Sequence, residues 1–169
     1  PRHGYRAGLD AMLLAAACPD ATAAGATGRD QGGRFGLLDV GAGVGAAGLA
    51  VARRLATADV TLVERDATAA ALARHNIARN GLAARARLIE ADILAPLAPD
   101  IAEALGRERY DVVIANPPYH AVHRGSPAPD AAKQAAHAMP DGALEQWARF
   151  MARMARPGGR FILIHRADA

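Results

Sequence analysis

The sequence predicts an α/β domain whose mostly parallel sheet is covered by helices on both faces. Three observations predict it. Five short runs rich in Val, Ile and Leu alternate with segments of helical spacing. Those runs are apolar on both faces, as strands buried under two helical layers are. The 169 residues suit one domain with one core and show no internal repeat.

The elements follow in order. "GLDAMLLAAAC" (8–18) has helical spacing, with Leu9, Met12, Leu13 and Ala16 as its expected apolar stripe. Residues 19–34 hold Pro and four Gly without apolar periodicity and are expected to be a flexible connector. "FGLLDV" (35–40) is the first strand, followed by a helix over about 45–57. "DVTLVE" (59–64) is the second strand, and the next helix has Asp66 as its cap and Gly81 past its end. "ARLIEA" (86–91), a short helix near 99–106 and "YDVVIA" (110–115) come next. The helix 143–155 carries Leu144, Trp147, Met151 and Met154 on one stripe, and "RPGG" turns the chain into a fifth strand, "RFILIHR". Residues 1–34 are therefore read as an N-terminal helix and connector and 35–169 as the sheet core of one domain. The chain begins with Pro and stops just after a strand-like run, which reads as an excerpt of a longer protein or its ordered part.

Composition excludes some functions. Hydrophobic residues make up 51%, with alanine supplying much of it, and aromatics only 4%. Nineteen of the twenty basic residues are Arg, and Lys133 is the only Lys, a skew that fits a GC-rich genome better than a binding code. The net charge of +3 permits a nucleic-acid partner without demanding one. Cys18 is alone, so no internal disulfide forms, and it is read as a small buried hydrophobe. No apolar run approaches the ~18 residues of a membrane span, and no signal core opens the chain. The expected location is the cytoplasm, with no membrane partner.

Ligands of such sheets sit beyond the carboxyl ends of the strands. After the first strand, Asp39-Val40-Gly41-Ala42-Gly43-Val44-Gly45 reads D-x-G-x-G-x-G, a loop typical of S-adenosylmethionine (SAM) sites. Its glycines permit a tight turn and close approach to a ligand, and the next helix presents its N-terminus. The overlapping G-x-G-x-x-G from Gly43 starts too late after the strand and is read as an accident of extra glycine. After the second strand, Glu64 can accept from the hydroxyls of a ribose, with Arg65 beside it at the surface. This carboxylate suits SAM and NAD equally. After the third, Asp92 can accept from an adenine amino group while Ile93 or Leu94 packs on the ring. After the fourth comes Asn116-Pro117-Pro118-Tyr119. Two prolines stiffen this loop and remove two N–H donors. It offers the Asn116 side-chain oxygen, the Pro117 carbonyl and the flat face of Tyr119, a receptor for a planar group bearing NH₂. Asp39, Glu64 and Asp92 are expected to converge on one crevice. Three carboxylates suit a cationic sulfonium better than a pyrophosphate.

These residues resemble class I SAM-dependent methyltransferases of the amino-methylating kind, in which "DVGAGVG", "VERD", "EADIL" and "NPPY" stand in the same order and spacing. The resemblance implies a Rossmann-like fold and SAM as cofactor. More narrowly, "GYRAGLDAMLLAAA", "SPAPD…AAHA" and "RPGGRFILIHRAD" look like the bacterial valine-tRNA adenine-N6 methyltransferase group. That implies methylation of an adenine beside the anticodon, tRNA as partner, and Arg6 and Asp10 near the methionine end of SAM. The chain departs from that group with Leu9 where Thr is frequent. It also stops at the fifth strand where the usual fold has two more, so an open sheet edge or closing strands outside the sequence are expected.

The expected chemistry is direct methyl transfer to the amine, with Asn116 and the Pro117 carbonyl accepting its hydrogens, and Tyr119 stacking on the base. The same loop suits adenine in tRNA, rRNA or DNA and the amide of a protein glutamine. A non-catalytic nucleotide-binding module and a hydride-transfer enzyme are the readings from other classes. The segment 120–141 is the expected substrate loop, with Arg124 and Lys133 as candidate phosphate contacts. His120 and His123 lack a Cys or carboxylate placed with them, so no metal is expected.

Overall fold

The computed structural model describes residues 8–19, 34–118 and 142–165, with the backbone of 120–121 and 138–139. In chain order the elements are α1 (Leu9–Ala17), β1 (Phe35–Val40), α2 (Ala46–Arg54), β2 (Ala58–Glu64), α3 (Ala67–Arg79) and β3 (Ala86–Glu90). There follow α4 (Pro99–Leu105), β4 (Tyr110–Ala115), β5 (His120–Ala121), β6 (Ala138–Met139), α5 (Ala143–Met154) and β7 (Ala155–Leu163). The main sheet is parallel throughout, in the order β3-β2-β1-β4-β7. The expected fold is therefore present, and the strand bounds match to within a residue for β1 to β4. The expected connector 19–34 lies almost wholly outside the described residues.

Two apolar layers sandwich the sheet. Leu37, Val60, Leu62, Val112 and Ile114 pack with α1, α2 and α3 on one face. Leu38, Val40, Val63, Val113 and Ala115 pack with Leu105 of α4 and with Trp147, Phe150, Met151 and Met154 of α5 on the other. Strand side chains alternate in direction, so Leu37 and Leu38 must enter different layers, which is why each run is apolar throughout. Cys18 is buried in the first layer, as expected.

Two expectations change. In α1 the buried residues are Ala11, Leu14 and Ala15, while Leu9, Met12 and Leu13 are 73%, 44% and 51% exposed. Nearly every position of this helix is apolar, so spacing does not select a face. Small side chains let α1 approach α2 closely, and the alanine-bearing face turns inward. The second change concerns β7, which starts at Ala155 and so includes the expected turn. Its register jumps from Tyr110↔Ala155 to Val112↔Arg160. The "PGG" residues form a bulge there, with Gly158 at φ +74.

Side chains close several helix termini. Asp66 accepts from Ala69 N at 2.7 Å at the start of α3, the expected cap. Carboxyl-terminal carbonyls are met by arginines from other elements. Arg54 donates to Ala15 O and Cys18 O at the end of α1. Arg85 donates to Ala52 O, Leu55 O and Ala58 O after α2. Arg87 donates to Ala104 O of α4 and to Thr61 Oγ1. Each places positive charge at the negative end of a helix dipole.

At the amino ends of the strands lies a cavity of about 650 Å³ that includes Arg34, Asp59, Asp111 and Arg156 in its lining. Two ion pairs lie in its lining. Arg34 pairs with Asp59, and Asp111 accepts from Arg156 Nε at 2.6 Å and from Gly36 N at 2.7 Å. The Arg156 and Asp111 side chains are 14% and 9% exposed. Asp111 thus ties β7 to β4 and β1. Asp111→Ala strands a buried cation and a backbone donor, and should lower unfolding free energy by roughly 3–5 kcal/mol in chemical denaturation. A loss under about 1 kcal/mol would show that the tie is not needed.

Candidate active site

The opposite rim is organised by register. Val40 of β1 pairs with Val63 of β2 and with Ala115 of β4. Gly41 therefore leaves the sheet between Glu64 and Asn116. Parallel strands run about 4.8 Å apart, so those two residues stand roughly 10 Å apart across it. The turn that follows has Gly41, Gly43 and Gly45 at φ +64, +56 and +84, a left-handed region that other residues rarely adopt. Ala42 N donates to Val63 O at 2.9 Å, and Gly45 N to Ala42 O at 2.8 Å. The chain then enters α2, whose first N–H groups open toward the rim.

The three carboxylates have separate situations. Asp39 is 2% exposed and its Oδ2 accepts from Gly48 N at 2.8 Å. It lies beneath the crevice and anchors α2, rather than lining the crevice as expected. Burial pushes its carboxyl up from 3.8 to about 7, opposed by the Gly48 hydrogen bond and helped by the charge of Glu64. Glu64 is also buried. Its Oε1 accepts from Arg65 N and Asp66 N at 2.9 and 2.8 Å, and its Oε2 from Gly43 N at 2.7 Å. A carboxylate has about four acceptor sites, so Oε2 retains one. Asp92 is more open. Its Oδ1 accepts from Leu94 N at 2.9 Å and its Oδ2 lies 3.6 Å from Arg65 Nη1. Arg65 is thus exposed, as expected, and leans on Asp92. Ile93 is half-buried, packed on the layer that contains α5.

Asn116 and Pro118 are half-buried and Pro117 is buried, directly past β4. Arg6, Tyr119, His123, Arg124 and Lys133 lie outside the described residues, and of His120 only the backbone is described. Among the described residues no group of three His, Cys, Asp or Glu is placed to hold a metal. No described helix is long and apolar enough to cross a membrane.

Two residues at this rim escape the sequence reading. A Cβ on Gly48 would stand 2.6 Å from Leu62 Cδ2 and 2.9 Å from Asp39 Oδ2. Gly48 is therefore required by the close packing of α2 on β1 and β2. The G-x-G-x-x-G pattern from Gly43, read as accidental, carried that signal in its last position. The other is Trp147 of α5, whose ring lies against Gly41. Its place on the apolar stripe gave no hint of that neighbour.

A glycine turn, a buttressed carboxylate and an Asn-Pro-Pro loop thus meet on one rim of a parallel sheet, where ligands of such sheets bind. Residues 29–145 match the family described as the methyltransferase small domain, and the chain belongs to that family. It is 39% identical over 83 residues to the release factor glutamine methyltransferase of Geobacter sulfurreducens, covering 49% of this chain and 26% of that protein. Over 167 residues it is 30% identical to the tRNA1(Val) (adenine(37)-N6)-methyltransferase of Porphyromonas gingivalis, covering 96% of this chain and 59% of that one. The chain thus spans well under two thirds of either relative. Among solved structures it is similar to a predicted O-methyltransferase, Atu636 of Agrobacterium tumefaciens, with a TM-score of 0.63 and 30% identity. That match covers 94% of this chain and 62% of the other.

The raised Asp39 carboxyl makes stability depend on pH. Between 3.8 and about 7 the folded chain holds a proton that the unfolded chain releases, so stability falls as pH rises through this window. Asp39→Asn retains an acceptor for Gly48 N and cannot ionise. Its melting temperature relative to wild type should rise steadily between about pH 4 and pH 7 and level off above that. A constant difference would show that Asp39 does not titrate there.

Proposed function

We propose that this chain transfers a methyl group from SAM to an exocyclic amino group, adenine N6 of tRNA. One observation carries the reading: the β1–β4 register sets the Asn116-Pro117-Pro118 loop directly beside the glycine turn. A donor bound by the turn and an acceptor held by the loop are then neighbours.

The residues present fit SAM. The turn at Gly41–Gly45 has no side chain on its three left-handed residues and permits close approach. Glu64 Oε2 keeps an acceptor site for one ribose hydroxyl, while Oε1 is already taken twice. This narrows the expectation that Glu64 accepts from both hydroxyls. Asp92 and Ile93 would meet the adenine end, and Arg6 the methionine end. When bound, SAM supplies a methyl group on a positively charged sulfur.

The chain's own work is positioning. The Asn116 side-chain oxygen and the Pro117 carbonyl accept the two hydrogens of the amine. This aims the nitrogen lone pair at the methyl carbon, and the nitrogen–carbon bond forms as the carbon–sulfur bond breaks. Orientation of this kind supplies up to roughly 7–11 kcal/mol in the best cases. The product ammonium is acidic and loses its proton to water, so no residue is required as a base. Tyr119 stacks on the base, worth about 1–3 kcal/mol. A nucleotide in an RNA loop reaches such a site at lower cost than a paired one.

The relative that matches along 96% of this chain is named for tRNA adenine, which favours that acceptor. A glutamine amide is the second reading, favoured by the 39% identity to a release factor glutamine methyltransferase over half the chain. Tritiated-methyl transfer from SAM should label tRNA and leave release factor and DNA unlabelled. Label on release factor alone would move the assignment to glutamine. Asn116→Ala should cut the turnover by about 10²–10³-fold, as loss of one transition-state contact does. SAM affinity, measured by calorimetry, should stay within about threefold of wild type. Wild-type turnover in that variant would defeat the assignment, and binding of NAD without SAM would defeat the class.

A further inference from the structure

The glycine turn is held from two sides. From β2, backbone and carboxylate contacts fix Ala42 and Gly43. Gly41, which precedes them, is met from the other face of the sheet by Trp147. A Cβ built on Gly41 would collide with Cη2 of that ring and stand 3.1 Å from Cζ3 and 3.4 Å from Cζ2. The distal edge of the indole therefore points at Gly41 and fills the place of a Cβ, which only a residue without Cβ allows. Trp147 is 7% exposed and sits in one layer with Leu38, Val40, Phe150 and Met151, so its ring has little room to swing away.

A turn with three left-handed glycines is intrinsically pliable. A ligand that needs one shape of it loses affinity for every other shape populated. We propose that Trp147 is a positioning residue for the methyl donor: its ring presses on Gly41 and holds the glycine turn in the donor-binding shape. This rests on the reading of the turn as a SAM site. The role is one of ground-state binding. Loss of the ring should weaken the donor complex while leaving the methyl-transfer step nearly intact in molecules that do bind.

Trp147 is the only tryptophan in the chain, so its emission reports on this contact without a label. Wild-type protein titrated with S-adenosylhomocysteine should show a saturable change in tryptophan emission. The midpoint should equal the dissociation constant from calorimetry. Trp147→Leu should raise the KM for SAM by about tenfold or more with kcat within about threefold. Trp147→Phe, whose shorter ring lacks the distal atoms that reach Gly41, should fold and show a similar rise in KM, and unchanged KM in it would overturn the proposal. A merely structural role would lower the melting temperature and the active fraction but leave KM unchanged. Unchanged KM in folded Trp147→Leu would overturn the proposal. So would emission that ignores a ligand which calorimetry shows to bind. Should Trp147→Leu not fold, the wild-type titration and Trp147→Phe still decide. If calorimetry finds no binding to the wild type, the SAM reading itself falls, and this proposal with it.

Discussion

The site depends on how closely a helix can approach a strand. Gly48 brings the α2 backbone within 2.8 Å of the Asp39 carboxylate, a distance that a single added carbon would prevent. That bond sets the angle at which the chain leaves β1. The angle in turn requires a reversal within a few residues, which glycines at positive φ provide. Only then do the first amides of α2 open at the rim where β2 and β4 also end. The glycine spacing is therefore one solution to two demands, a sharp turn at its start and contact packing at its end.

The three carboxylates of the rim show how environment divides identical chemistry. Asp39 is sealed under α2 and resists ionisation. Glu64 is also enclosed, and three backbone donors fix its plane. Asp92, at the margin, has one backbone donor and a loose arginine. A convergent triad of equal negative charges, suggested by the spacing alone, is thus a graded set. One group is a scaffold, one a rigid acceptor, and one a partly solvated charge. Repulsion within the crevice is smaller than three free carboxylates would generate.

Much of this arrangement was legible in the order of residues. Uninterrupted apolar runs mark strands covered on both faces, and the residues after each run are the rim. The Asn-Pro-Pro loop could be placed because the strand before it was unmistakable. What escaped depends on partners distant in the chain. Whether α1 turns Leu13 or Ala15 inward depends on the surface of α2, not on α1, where almost any face is apolar. That Asp39 lies below the crevice depends on Gly48, nine residues on, and the meeting of Trp147 with Gly41 spans more than a hundred residues. Ranges of this kind leave no local period to read.

The arginines that close α1, α2 and α4 carry a consequence for how this sequence can drift. Arg85 satisfies three carbonyls from Nη1 and Nη2 and Arg87 two acceptors from Nε and Nη2, using the planar fork of guanidinium, while Arg54 reaches two carbonyls from Nη2 alone. An ammonium group is a compact, strongly hydrated point charge with no such fork. The nearly complete absence of lysine, whatever nucleotide bias produced it, has become embedded in the architecture. A host with a different base composition could exchange surface arginines freely, yet Arg85 and Arg87 would resist the same exchange.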